Sequence, residues 1–474
     1  MRKGFLLLTI AFATLKCSAQ EKWTLQQCVD YAFKNNISVR QADVQSRLSK
    51  LTAIQSQMTR YPNASGSASS SYQHGLSENP TTGTLQSASY ISGNISAQVG
   101  YNIFDWFARR NTIVANNLNY KADLVGIDKA RNDVALVVAN AFLQVMLRRE
   151  QAHISEVQMK QSKSQLVNTR KLVEAGSQPE LNAIQLEAQH AKDSSALLQS
   201  QALVAQGMIN LKAYLNFDFA QPFEITAPDL QNIKIDNIAD VQPEAVYQLA
   251  VTNQPVQKMY KLKIEAGQYE IKAARGNMYP SLSAFGQLNT RAIDTKSNPV
   301  ITQLPDQLIG YANVNGTKVG VYSPAYGVSG FTGTPLFNQF SNNFGQVVGL
   351  SVNFSIFNAY TSRTQWEKAK VNVQQLKLQE EQENLNLRSN IYNAYQDAFS
   401  SLQKYNAARR TVEYSQKALD ISKKRYDIGL LGTLDFIITQ NNLYLAQIDE
   451  VSSKYDYVFK MKVLEFYKGQ GIKL

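Results

Sequence analysis

Apolar and polar residues alternate one by one in two stretches of the chain. Ile91, Gly93, Ile95, Ala97, Val99 and Tyr101 interleave with Ser92, Asn94, Ser96, Gln98 and Gly100. Val348, Leu350, Val352, Phe354 and Ile356 interleave with Gly349, Ser351, Asn353 and Ser355. A period of two puts one class of side chain on each face of an extended strand. Partner strands, weaker in pattern and rich in Ser, Ala and Gly, are expected near 62–74 and 280–289.

Elsewhere the period is seven. Val138, Val145, Ala152, Met159, Leu166 and Val173 form one series, and Ile391, Ala398, Tyr405, Val412, Leu419 and Tyr426 another. A second seam position is mostly small, as in Ala394, Ser401, Ala408 and Ser415. Strict sevens imply left-handed coiled-coil packing. No Pro lies between Pro80 and Pro179 or after Pro335, and from Phe107 to Glu174 the only Gly is Gly126. About 68 helical residues would extend roughly 100 Å. Each long helix meets a Gly, Gly176 or Gly429, the usual place for a left-handed cap. Further helices are expected near 180–214 and 433–468, making a helical hairpin with its tip at each Gly.

The chain is written twice. Ala32, Asn35 and Tyr61-Pro62 recur 218 residues later as Ala250, Asn253 and Tyr279-Pro280. Ile103-Phe104, Asn140-Ala141-Phe142 and Gly176 recur 253 residues later as Ile356-Phe357, Asn393-Ala394-Tyr395 and Gly429. The change in offset, 253 − 218 = 35, places one insertion between Pro280 and Ile356. A tandem duplication follows. The first repeat occupies 20–216, a linker 217–240, and the second repeat 241–474 with an enlarged loop near 290–343. Each repeat opens with two short helices that stop at Tyr-Pro, where Pro disfavours helix in the residue before it.

Four short strands cannot hide their own edges. In a membrane the backbone groups must all be paired, so the strands must close into a barrel, and four are too few. Several chains must contribute. Tyr101, Trp106, Phe107, Phe357 and Tyr360 sit where strand gives way to helix, the place for an aromatic girdle at a membrane interface. Ordinary core aromatics at a β–α junction are the alternative reading.

The chain has 474 residues, 44% hydrophobic, 10% aromatic and 18% charged, with a mean hydropathy of -0.29. That aromatic content excludes a disordered chain. Beyond the first 15 residues no uninterrupted apolar run approaches the roughly 20 that a spanning helix needs. Residues 1–19 read as a secretory signal, with Arg2 and Lys3 before the apolar run Phe5–Leu15 and cleavage after Ala19. Lipidation at Cys17 is the alternative, and Lys16 fits it poorly. Removing the leader takes away Arg2, Lys3 and Lys16, so the net charge becomes +11 − 3 = +8. Only Cys28 is then left, too few for an intrachain disulfide. The basic residues are scattered among acidic ones along helices, which argues against nucleic acid as a partner.

Catalysis finds little support. His74, His153 and His190 fall in different segments without metal-ligand spacing. Gly310 to Lys318 has its glycines too far apart for a phosphate loop and reads as a loop tip, with Gly327, Gly330 and Gly333 as further loop residues. No enzyme activity, cofactor or metal is expected.

The tandem repeat, the Tyr-Pro junctions, the Ile-Phe strand ends and the tip glycines together resemble the TolC-type outer membrane efflux proteins, over nearly all of the mature chain. The resemblance implies a mainly α fold with a membrane β-barrel part. Long coiled-coil hairpins and four strands per chain would close as a homotrimeric twelve-stranded barrel above an α-helical tunnel. It places the chain in the outer membrane of a Gram-negative bacterium, with a long periplasmic extension and 290–343 as an extracellular loop. The implied partners are a periplasmic adaptor (a membrane fusion protein), an inner-membrane pump or exporter, and outer membrane lipid. Gly176 and Gly429 match tips that dock the adaptor. Asp435 matches the first of two gating aspartates, with Asn182 as its first-repeat equivalent, while Ile438 stands at the second. Tyr426 matches a tyrosine that holds the tip closed, and Leu431 replaces the expected arginine. An Asp435 ring would attract cations; a solvated carboxylate is the alternative. The expected function is the passive exit channel of a tripartite efflux or type I secretion system. A secreted coiled-coil scaffold or adhesin is the competing class, and it predicts a water-soluble protein.

Overall fold

The computed structural model describes residues 22–78, 85–226, 238, 241–294 and 296–469. The leader and Cys17 lie outside these residues, as does most of the linker.

The first repeat runs α1 (Leu25–Asn35), α2 (Ile37–Met58), β1 (Asn63–Glu78), β2 (Leu85–Phe104), α3 (Ala108–Glu174) and α4 (Glu180–Leu215). The second runs α5 (Pro243–Asn253), α6 (Pro255–Gly276), β3 (Ser281–Ile293), β4 (Lys296–Val314), β5 (Thr317–Gly333), α7 (Leu336–Asn342), β6 (Gly345–Asn353), α8 (Thr361–Asp427) and α9 (Thr433–Tyr467). α1, α2 and β1 start 218 residues before α5, α6 and β3, and α3 and α4 start 253 before α8 and α9. Thr24 and Gln27 make a capping box at the start of α1. Pro255 opens α6, where its fixed φ suits the first helical turn.

One compact unit is helical and gathers the described residues within 22–51, 117–266 and 372–469. Its largest apolar cluster joins Leu25, Cys28, Val29 and Ala32 of α1 to Val138, Phe142 and Val145 of α3 and Leu211 and Leu215 of α4. The second repeat builds the equivalent cluster from Ala250 of α5, Ile391 and Ala398 of α8, and Met461 and Leu464 of α9. Trp23, Tyr31, Phe217 and Phe223 close one end of the first cluster, Trp23 meeting the other three at 5.1–5.7 Å between ring centroids. Burial pushes the Cys28 thiol up to about 12, so it stays protonated and inert.

The seven-residue seam is buried at Val138, Val145, Leu166, Ile391, Ala398 and Leu419. It is only half-buried at Ala152, Met159 and Val173. Between Ser155 and Thr169 the buried positions of α3 are Ser155, Gln158, Ser162 and Thr169 together with the seam residue Leu166, so the apolar seam expected there is largely replaced by a polar one. One 18-residue stretch of α3 is apolar enough by composition to cross a membrane, and half of it is buried within the protein.

The other unit holds residues 52–116 and 267–371. Its main sheet has the order β1-β2-β3-β6, antiparallel throughout. Ala68 faces Ile95, Ala97 faces Leu288, and Ala284 faces Leu350, so one face of the sheet carries the apolar row. The opposite face carries Ser67 and Ser96, hydrogen-bonded at 2.8 Å, and Ser71 and Ser92 at 2.9 Å. The apolar row is exposed, with Val348 at 89%.

Two expectations for this unit are corrected. Among the described residues the four expected strands form the main sheet and two more join them, because the insertion is no loop: β4 and β5 form a long antiparallel hairpin and α7 leads back to β6. Gly310 lies within β4, and Gly327, Gly330 and Gly333 lie within β5. The turn is Asn315-Gly316, with φ of 53° and 85°, the signature of a tight hairpin turn. The last alternating stretch also ends early, at Asn353, leaving Phe354 and Ile356 outside the strand. Near the root of the insertion, α7 is held to β3 by Gln339, which donates to Ile293 O at 2.9 Å and accepts from its N–H at 2.9 Å.

Candidate functional site

The two hairpin tips are built alike. At the first, Gly176 N–H donates to Val173 O at 2.9 Å and Ser177 N–H to Leu172 O at 2.8 Å. At the second, Gly429 N–H donates to Tyr426 O at 2.9 Å and Leu430 N–H to Arg425 O at 2.8 Å. This double bond pattern needs a left-handed residue at the cap, and the glycines supply it with φ of 69° and 75°. A Cβ at either position would meet nothing within 4 Å. The tips therefore present open backbone, flanked by exposed Leu181 and Ile184 on one and Ile428, Leu430 and Leu434 on the other. Leu181 and Leu434 are repeat equivalents, 253 residues apart, and that identity is the sequence signal for them.

Asp435 stands in the first turn of α9 and is exposed, as is Ile438. Asn182 is half-buried and donates to Gln178 Oε1 at 3.4 Å. Tyr426 is turned into its own hairpin, in a cluster with Leu419, Phe436 and Leu443 that Leu431 also touches. The structure thus brings Tyr426 and Leu431 together and leaves Asp435 outside that cluster.

Behind the tips the helices meet through amides and hydroxyls. Gln189 on α4 donates to Asp193 Oδ1 at 2.7 Å and to Asn441 Oδ1 of α9 at 3.0 Å. Burial pushes the Asp193 carboxyl above its ordinary value, opposed by Ser162 and Gln189, which favour the carboxylate. Leu166, Leu186 and Ile437 are the small apolar contact between the two hairpins at this level. His190 lies 3.4 Å from Ser162, and His74 sits in β1 against Ser89, so these two histidines serve separate local contacts.

The strand-to-helix junctions are the second candidate site. Trp106 and Phe107 have φ of 53° and 64°, and their repeat equivalents Ala359 and Tyr360 have 50° and 61°. Two consecutive left-handed residues without glycine cost about 1–2 kcal/mol each. Packing and hydrogen bonds hold the first pair. Trp106 Nε1 donates to Pro280 O at 2.8 Å, and its ring lies 5.0 Å from that of Tyr279. Arg109 donates to Thr59 O and Asn102 O, at 3.2 and 2.9 Å, and lies over the half-buried Tyr101 ring at 5.4 Å. At the second junction Phe357 and Tyr360 are exposed, their ring centroids 6.5 Å apart.

Comparison with known proteins places this architecture. The chain resembles the Campylobacter jejuni CmeC outer membrane channel, at 17% identity over 95% of this chain and 86% of that one, with a TM-score of 0.71. It resembles the outer membrane protein VceC of Vibrio cholerae at 15% identity, 95% and 97% coverage and a TM-score of 0.70. The open-state MtrE outer membrane channel of Neisseria gonorrhoeae aligns at 17% identity, 94% and 88% coverage and a TM-score of 0.66. No curated protein matches the sequence. The family model for outer membrane efflux proteins matches residues 29–216 and 246–469, one match in each repeat. The chain belongs to the outer membrane efflux protein family.

Proposed function

We propose that this protein is the exit channel of a tripartite efflux or type I secretion system, conducting passively what an inner-membrane pump or exporter and a periplasmic adaptor deliver. The observation that carries the reading is the sheet. It has an apolar exposed face, a small polar face and two unpaired edges, and it is continuous in sequence with two helices of 67 residues. Such edges are tolerated in lipid only when closed, so three copies would form a twelve-stranded barrel in the outer membrane, with the paired hairpins lining a periplasmic tunnel. The open-backbone tips at Gly176 and Gly429, with Leu181 and Leu434 beside them, are where an adaptor would dock. Three copies of Asp435 would form an anionic constriction, and Tyr426 would stiffen the tip. No chemistry is assigned to the chain, and energy would come from the inner-membrane partner.

The test is the mass of the particle extracted from the outer membrane in mild detergent, followed by conductance in planar bilayers. A three-copy particle that conducts ions supports the channel. A water-soluble monomer or dimer without conductance overturns it and favours the scaffold or adhesin.

A further inference from the structure

The four strands of the main sheet share one end, at Asn63, Phe104, Ser281 and Asn353. Charge changes abruptly there. Of Asp, Glu, Lys and Arg, the four strands carry only Glu78 and Arg291. The chain adjoining that end, residues 52–62, 105–116, 267–280 and 354–371, carries eight Lys and Arg against three Asp and Glu. Two of the eight are spent on neighbours, Arg109 on Asp105 at 3.8 Å and Lys370 on Glu367 at 2.8 Å. An apolar face that ends in exposed aromatics and surplus cations suits a layer whose oily interior is bounded by an anionic surface.

Within that belt the two repeats differ at one cleft. At the β2–α3 junction the cleft is about 410 Å³ and satisfies itself. Asp105 pairs with Arg109, whose guanidinium also donates to Thr59 O and Asn102 O, while Trp106 lies against Tyr279. At the repeat offset of 253, Asp105 becomes Asn358, Arg109 becomes Ser362 and Trp106 becomes Ala359. The cleft at the β6–α8 junction is wider, about 610 Å³. There Asn358 Nδ2 donates to Ser362 Oγ at 2.7 Å, a neutral contact where the first repeat has an ion pair. No carboxylate lines this cleft, and Arg363 is its only charged residue. The Arg363 guanidinium lies 5.9 Å from the centre of the Tyr360 ring, in the first turn of α8, where the helix dipole adds positive potential. Phe354, Ile356 and Phe357 complete the lining, and Ile356 and Phe357 are 92% and 76% exposed.

We propose that the β6–α8 cleft binds the headgroup of an anionic phospholipid, its phosphate on Arg363 and Asn358 and its acyl chains over Ile356 and Phe357. This rests on the outer membrane barrel proposed above, which puts the helix-bearing end of the sheet on the periplasmic side and so draws the lipid from the inner leaflet. Charge decides the class of headgroup. A guanidinium grips a phosphate through paired donors, and the surplus cations around the cleft favour a lipid with net negative charge over a zwitterionic one. The first-repeat cleft takes no such ligand, because its carboxylate repels the phosphate and its guanidinium is already occupied.

Native mass spectrometry of the full-length protein in mild detergent tests the site, with phosphatidylglycerol or phosphatidylethanolamine added. The particle should retain the first lipid in preference to the second. Arg363→Gln should weaken that retention about tenfold, the loss of one charge-assisted phosphate contact. Asn358→Asp, which restores the carboxylate of the first repeat, should weaken it as much. Arg110→Gln, the first-repeat counterpart of Arg363, should leave it unchanged. Particle mass and bilayer conductance are measured alongside. In a conducting three-copy particle, equal retention of both lipids, or equal loss in Arg363→Gln and Arg110→Gln, overturns the site alone. Displacement of phosphatidylglycerol by an equal concentration of inorganic phosphate also overturns it, in favour of a free-anion site. A conducting particle that holds no lipid overturns it too, the cleft then being closed by a neighbouring copy. A water-soluble single chain without conductance overturns both the site and the channel.

Discussion

Tyr426 lies flat on Phe436, ring centroids 4.7 Å apart and planes within 10°. One ring comes from the last turn of α8 and the other from the first turn of α9, so the stack ties the two arms of the hairpin at its tip. Phe436 is buried while the Tyr426 hydroxyl is buried without a hydrogen-bond partner. Tyr426→Phe keeps the stack and removes an unsatisfied group, so it should leave the tip as resistant to limited proteolysis as the parent, or more so. Phe436→Ala should cost about 3–5 kcal/mol of local packing and speed cleavage near residues 426–436. Equal cleavage of parent and Phe436→Ala would show that the stack does not hold the tip.

The tip glycines should separate assembly from docking. Gly176→Val and Gly429→Val place a branched side chain in a left-handed backbone, at a cost of about 1–2 kcal/mol, yet meet no neighbouring atom. Native mass in detergent should be unchanged and export from cells should fall. Undiminished export from the double variant would remove the tips from adaptor docking.

Asp435 is exposed in the single chain, so replacing it should not disturb the fold. Asp435→Ala should raise single-channel conductance or lower cation preference in planar bilayers. If both quantities match the parent, the carboxylate is a solvated surface group and lines no constriction.

Asp193 carries a pH signature. Burial raises its folded-state pKa above the unfolded value of about 3.9. Below that value both states are protonated and the site carries no penalty. As pH rises through the raised folded pKa, the cost of a buried charge appears, and stability is lost. Asp193→Asn should therefore raise the melting temperature relative to the parent at pH 7, with the difference shrinking toward pH 4. A difference that is constant with pH would show that the carboxylate is not the cause.

The parts of the fold that were legible in the sequence are those where one periodicity dominates. Val138, Val145, Ile391 and Ala398 repeat every seven residues and are buried, and Gly176 and Gly429 mark helix ends by a backbone need that glycine meets at least cost. The β4–β5 hairpin was hidden because its pairing shifts register at four places, so no clean alternation survives. Its Asn315-Gly316 turn was nevertheless a readable signal. The polar seam was missed for a different reason. Ser155, Ser162 and Thr169 also recur every seven residues, but they are not apolar, so they add nothing to a hydrophobic periodicity. At the tips, Tyr426 and Leu431 turned out to be packed within one chain, a contact that depends on Phe436 across the hairpin and on no local pattern.

The change of α3 from an apolar lining at Val138, Phe142 and Val145 to a hydroxyl and amide lining at Ser155, Gln158 and Ser162 makes one continuous helix unequal along its length. Where methyl groups mesh, separation exposes apolar surface and the helices are locked. Where hydroxyls and amides meet, water can replace each lost bond at small net cost. Spontaneous local opening is consequently cheapest toward the free ends of the hairpins and dearest at their rooted ends. Amide hydrogen exchange should rise along α3 from Val138 toward Thr169, giving a protein that can part its far ends while its roots stay clenched.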